Sequence, residues 1–102
     1  MKQRDNNQQP PNHSRNFRTD EMLSQSDVAF LLDIKNAGRI SKWENGLSNP
    51  DLEHAITLGL IYHRFVEDIY FNLRKELAKR LAERKKLLRE MKEKQRNKQD
   101  SD

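Results

Sequence analysis

"RISKWENG", residues 39–46, contains the chain's only tryptophan, Trp43, set between Lys42 and Glu44 and followed at once by Gly46. On a helix of 3.6 residues per turn, Ala37, Ile40, Trp43 and Glu44 share one side. Lys35, Gly38, Arg39, Lys42 and Asn45 share the other. Asn36 is a candidate N-cap, and Gly46 supplies a C-terminal stop. A buried indole would hold the polar side at a fixed angle, so the segment reads as a short helix built to present Lys, Arg and Asn outward.

Upstream, "LSQSDVAFLLDI" (23–34) pairs Ser24 with Asp27 three residues on, a capping-box variant. Val28, Ala29, Leu31 and Leu32 then form an apolar face, and Asp33 stands where the helix should stop in a left-handed turn. Downstream, "LSNPDLEHAITLGLIY" (47–62) turns at Pro50. It continues as an amphipathic helix through Leu52, Ala55, Ile56, Leu58, Gly59 and Leu60. A further stripe of Val66, Ile69, Tyr70, Leu73 and Leu77 follows. Two short helices joined by a four-residue turn, the second polar outside and apolar inside, make a helix-turn-helix layout. No strand signal is present, so the expected class is all-α.

The 102 residues allow one domain, about a third of them apolar and a third charged. So small a core gains from a partner. No cysteine is present, which excludes disulfides, thiolate metal sites and a cysteine nucleophile and agrees with a cytoplasmic location. No apolar run could span a bilayer. His13, His54 and His63 lack i, i+4 metal-ligand partners, and "DLEH" (51–54) spreads its side chains around a helix start. Neither a catalytic constellation nor a cofactor loop emerges, so the chain is expected to be no enzyme, with no metal and no cofactor.

The ends differ in kind. Residues 1–16 are polar and carry Pro10 and Pro11, so they read as a disordered arm whose Lys2, Arg4 and Arg15 could brush phosphates. Phe17 then leads a short polar turn into the domain, residues 17–73. Residues 74–98 hold twelve basic and four acidic side chains. With no Gly or Pro beyond Val66, one helix from there to Gln95 is expected, about 45 Å long. Leu73, Leu77, Leu81, Leu88 and Met91 follow one stripe, interrupted by Arg84 and Lys85. The stripe reads as a self-association surface, or else as a solvated charged helix. Residues 99–102 read as a disordered tail.

At these residues the chain resembles the Xre/Cro/CI-type helix-turn-helix transcriptional regulators. The matching elements are "LSQSDVAFLLDI", "RISKWENG", "NPDLEHAITLGLIY" and "FVEDIY" (65–70). Asp33 replaces the family's turn glycine, His63 and Arg64 stand where Gly and Val are usual, and Phe65 where Pro is. "DIKNAGR" (33–39) is similar to a subgroup with a turn one residue longer. The resemblance implies a small lambda-repressor-like bundle with a long charged C-terminal helix. It also implies sequence-specific binding of double-stranded DNA, as a homodimer.

By that resemblance Gln25 contacts a phosphate, helped by its helix N-terminus. Lys35, Asn36, Arg39 and Lys42 are groove candidates. Arg39 suits a bidentate contact to guanine, Asn36 suits adenine, and Lys42 suits a phosphate. Ser41 and Asn45 complete the DNA-binding set. Simpler roles stand beside these: Gln25 as a helix-start residue, Asn36 as a cap alone, Arg39 and Lys42 as solvated charges. A second expectation is an antitoxin-like or accessory module whose long C-terminal helix grips a partner protein. No membrane association is expected.

Overall fold

The computed structural model describes residues 10–100, and all regular structure within them is helical. In chain order the helices are α1 (Ser14–Asp20), α2 (Gln25–Leu31), α3 (Gly38–Glu44), α4 (Leu52–Tyr62), α5 (Val66–Ile69) and α6 (Phe71–Asp100). α3 packs against α1 and α2, and α5 against α4 and α6. The expected small bundle with a long C-terminal helix is the architecture found.

Helix starts follow from local chemistry. The Ser24–Asp27 capping box closes in both directions: Ser24 Oγ accepts from the Asp27 N–H at 3.0 Å, and Asp27 Oδ2 accepts from the Ser24 N–H at 2.8 Å. Asp51 caps α4 by accepting from the His54 N–H at 2.9 Å. Such a cap stabilises a helix by about 1 kcal/mol.

Helix ends share one device, a residue with left-handed backbone just past the last turn. Gly46 (φ 72°) ends α3, with its N–H on Trp43 O and the Leu47 N–H on Lys42 O, the paired bonds of a Schellman motif. Asp33 (φ 57°) ends α2 with the same pair, onto Phe30 O and Ala29 O. Met22 (φ 58°) does so for α1, onto Thr19 O and Arg18 O. His63 (φ 56°) ends α4, and the Arg64 N–H returns to Gly59 O at 3.0 Å. That return is close: a Cβ on Gly59 would lie 2.7 Å from the Arg64 carbonyl oxygen, so only glycine fits.

The core gathers Val28 and Ala29 of α2 with Leu32 at its C-cap, Ile40 and Trp43 of α3, Leu58 and Tyr62 of α4, and Ile69 and Tyr70. Trp43 is 3% exposed, so the indole anchors α3 as its sequence position implies. On α4, however, Ala55, Leu58 and Tyr62 face inward, while Leu52, Ile56 and Leu60 are exposed. Leu31 is likewise exposed, so the inner face of α2 is narrower than its leucines suggest.

The ends of the chain need correction. Ser14 is buried and begins α1, so the arm read as disordered to residue 16 is ordered from its Pro10–Asn16 portion onward. Phe17 is helical and packs on the core. Residues 1–9, with Lys2 and Arg4, lie outside the described residues, as do 101 and 102 of the expected tail; 99 and 100 are helical. The single helix expected from Val66 is broken at Tyr70 (φ −110°, ψ 42°), where burial of the ring outweighs continued helix geometry. The expected boundary between 73 and 74 falls inside α6.

His63 occupies a left-handed site where a side chain costs roughly 1–2 kcal/mol, against which glycine loses roughly 0.5–1 kcal/mol in chain entropy. His63→Gly is therefore expected to raise stability by about 0.5–1 kcal/mol in urea denaturation. A lower midpoint would show that the imidazole has a packing role outweighing the strain.

Candidate nucleic-acid interface

Three residues of α3 carry charge: Arg39, Lys42 and Glu44. Arg39 and Lys42 are exposed, whereas the Glu44 side chain is 1% exposed. α3 therefore shows solvent only positive charge, and Lys35, exposed in the preceding turn, adds to it. Arg39 lies over the Trp43 ring, its guanidinium carbon 5.4 Å from the centroid, a cation–π contact one helical turn along.

The missing negative charge organises the interior. Arg18 grips the Glu44 carboxylate with two donors, Nε at 2.6 Å to Oε2 and Nη2 at 3.1 Å to Oε1. Gln25 Nε2 donates to Oε1 at 3.1 Å and Arg15 Nε at 3.3 Å. Arg18 Nη1 also donates to Leu23 O at 2.9 Å. One carboxylate thus fastens α1, the start of α2 and the end of α3 together. Burial alone would raise the Glu44 pKa. The hydrogen bonds from Arg18 and Gln25, the Arg18 charge and the Arg15 bond outweigh burial and hold it below the usual carboxylate range. Its bond to Glu44 in turn raises Arg18. The Glu44 charge is felt beyond its ligands: burial first, and then that charge, push the Tyr70 hydroxyl up to about 12 and raise Tyr62 as well.

A strap of residues 11–14 crosses the back of this arrangement. Asn12 Nδ2 donates to Trp43 O at 2.9 Å, and Asn12 Oδ1 accepts from the Ser14 N–H and hydroxyl. The His13 N–H donates to Ile69 O at 2.9 Å, and Asn72 Nδ2 donates to Pro11 O at 3.0 Å. The strap satisfies a carbonyl in the last turn of α3, so the N-terminal segment helps set that helix.

The candidate residues take different places. Lys35, Arg39 and Lys42 stand exposed on or beside one face. Asn36 is exposed, but its Oδ1 accepts from the Gly38 N–H, making it the turn cap before α3; a Cβ on Gly38 would come 2.7 Å from that oxygen. Gln25 is half-buried and bound to Glu44, an internal role beside the expected phosphate contact. Ser41 and Asn45 meet at the far end of α3, where Asn45 Nδ2 donates to Ser41 Oγ at 3.3 Å and Arg15 Nη2 to Asn45 Oδ1 at 3.1 Å. Arg15 and Arg18 were missed as site-forming residues, although an acidic side chain on the apolar side of a helix signals a buried cation elsewhere. The His54 ring packs tilted against Trp43 with centroids 5.7 Å apart and lies 2.8 Å from Asp51, a packing role at the start of α4. Among the described residues no three His, Asp or Glu side chains converge as metal ligands, and no helix is long and apolar enough to cross a membrane.

Compared with known families, residues 15–59 match the helix-turn-helix model, which runs from the start of α1 into α4 and leaves α5 and α6 outside. No curated protein matches the chain.

The Glu44 network makes stability depend on pH with a definite sign. Its carboxyl binds a proton less readily folded than unfolded, so its contribution is complete above the ordinary value of 4.5 and is lost as pH falls through the depressed native value. Glu44→Gln is expected to lower stability at pH 7 by about 3 kcal/mol, the scale for breaking a buried pair. It should also flatten the acid limb of melting temperature against pH. An acid limb as steep in Glu44→Gln as in the parent chain would assign the acid transition to other carboxylates, such as the capping Asp27.

Proposed function

We propose that the protein is a sequence-specific transcriptional regulator of the Xre/Cro/CI type that docks α3 in the major groove of duplex DNA, a reading supported by the match of residues 15–59 to the helix-turn-helix model. The supporting observation is the one-signed face of α3: burying Glu44 removes the charge that would repel phosphates. Arg39 is the base reader, with a planar fork suited to guanine O6 and N7 and a pose already supported by Trp43. Lys35 and Lys42 take phosphates. Asn36 keeps its cap through Oδ1, and its amide nitrogen serves as the donor to adenine. Gln25 spends one N–H on Glu44 and offers the other to a phosphate. Ser41 and Asn45 bound the interface at the Gly46 end. The setting is cytoplasmic, and the domain, extending from α1 into α6, carries no catalytic task.

Regulators of this layout read two half-sites with two copies, and we assign self-association to the α5–α6 junction. There Val66, Tyr70, Leu73 and Leu77 line an open groove of about 350 Å³ rimmed by Glu67 and Arg74. A two-fold axis brings each patch onto its own image, so Glu67 of one copy faces Arg74 of the other. A second reading, in which α6 serves a partner protein, is supported by the half-exposed Leu88 and Met91 that α6 carries beyond the bundle.

Arg39→Ala should cost about 1–3 kcal/mol at a selected site and relax preference at one base position. Site selection followed by titration checks this, and unchanged affinity and preference would remove Arg39 from the groove. Glu67→Arg should leave the protein monomeric in light scattering, and adding Arg74→Glu to it should restore the dimer. A dimer indifferent to the first change would put the interface elsewhere.

A further inference from the structure

Beyond the junction, α6 changes character. Leu77, Leu81, Arg84, Leu88, Met91 and Gln95 succeed one another at alternating steps of four and three, the seam of a coiled coil. Leu77, Leu81, Leu88 and Met91 are each about half exposed or more. At about 100° per residue, the charged residues within a quarter-turn of the seam are Arg74, Arg80, Arg84, Lys85 and Lys92, all basic. Glu76, Glu83, Glu90 and Glu93 all fall on the far half. Arg80 approaches Glu76 at 3.8 Å, an exposed pair that is worth little.

We propose that this seam docks an acidic amphipathic helix of a different protein. Charge decides against a second copy: Arg80, Lys85 and Lys92 flank the seam whichever way two α6 helices run, so self-pairing sets cation against cation. Arg84 sits in the seam itself and needs a carboxylate opposite when it is covered. A partner with Leu-type residues on its seam and Glu or Asp beside it satisfies every one of these positions. Duplex DNA would pair with the cations but leave Leu81, Leu88 and Met91 in water. A bilayer surface favours a broad apolar face with aromatic residues, whereas this stripe is narrow and α6 has no aromatic residue after Phe71. The self-association assigned to the junction uses a mixed-charge groove that takes in Leu77 and Leu81 at the start of the seam, so the partner helix covers the seam from Arg84 onward, through Leu88 and Met91.

The test uses the full chain and a synthetic four-heptad peptide with Leu in the seam and Glu at the flanks. A peptide with Lys at the flanks and one with Ser in the seam serve as controls. Calorimetry is expected to show one-to-one binding of the acidic peptide, at least tenfold weaker for either control. Leu88→Gln with Met91→Gln, both outside the junction groove, should weaken it tenfold or more. So should Arg84→Glu with Lys85→Glu, which should in turn bind the Lys-flanked peptide. These residues are exposed, so the melting temperature of the domain and its DNA affinity should remain at the parent level. Equal binding of the Ser-seam control would reduce the contact to bulk charge and overturn the proposal. So would loss of self-association in the Leu88→Gln, Met91→Gln variant, which would give the seam to a second copy. Phosphatidylglycerol vesicles or random duplex DNA that protect α6 from exchange in a leucine-dependent way, where the acidic peptide does not, would reassign it to those surfaces.

Discussion

The Glu44 carboxylate, held by Arg18 with help from Gln25 and Arg15, is the contact on which the rest of the structure turns. An acidic residue on α3 would set a negative charge beside Arg39 and Lys42 unless it is taken inside, and taking it inside requires a buried cation with matching geometry. The two-pronged grip of Arg18 meets that requirement, and with the bond from Gln25 it ties three helices together at once. Apolar packing around Trp43 supplies attraction but little direction. The ion pair adds direction, because two parallel hydrogen bonds tolerate only a narrow range of angles.

Helices of seven residues have little stability of their own, and the bundle secures them at their ends instead. Ser24 and Asp51 close helix starts, and left-handed residues close the ends of the first four helices. Only one of those four is glycine. The others, Met22, Asp33 and His63, accept a backbone strain that the returning hydrogen bonds must offset. The connection between α2 and α3 illustrates the gain: Asp33 turns the chain, Ile34 returns toward the core, and Asn36 starts the next helix within a few residues.

How far the sequence could be read depended on distance along the chain. The capping box and Gly46 were legible because cap and recipient lie within three residues or so. Trp43 was legible because the apolar period isolates it. Glu44 could be placed inside, but its partners lie 26 and 29 residues earlier among twenty basic side chains, and no local pattern selects Arg18 or Arg15. The ordered strap escaped notice for a related reason: Asn12 and Ser14 are polar, and their order comes from bonds to Trp43 and from burial, not from composition. The break at Tyr70 has no Gly or Pro to announce it; it arises where a buried ring competes with helix propagation. Of the candidate site, the exposed cations Lys35, Arg39 and Lys42 were readable from periodicity. The internal bonds of Gln25 and Asn36 were not.

α6 also has mechanical meaning. It leaves the domain at Tyr70 as an arm of thirty residues, about 45 Å of helix, with its fulcrum in the core. A rotation of roughly ten degrees at that fulcrum sweeps the far tip through roughly 8 Å, while atoms beside Tyr70 move by a fraction of that. The strap that bonds Ile69 and Asn72 at the fulcrum also holds the Trp43 carbonyl at the end of α3. Leverage therefore runs along one short piece of main chain, from the tip of the arm to α3. A weak grip on the far end of α6 would act on α3 with the torque of the whole arm.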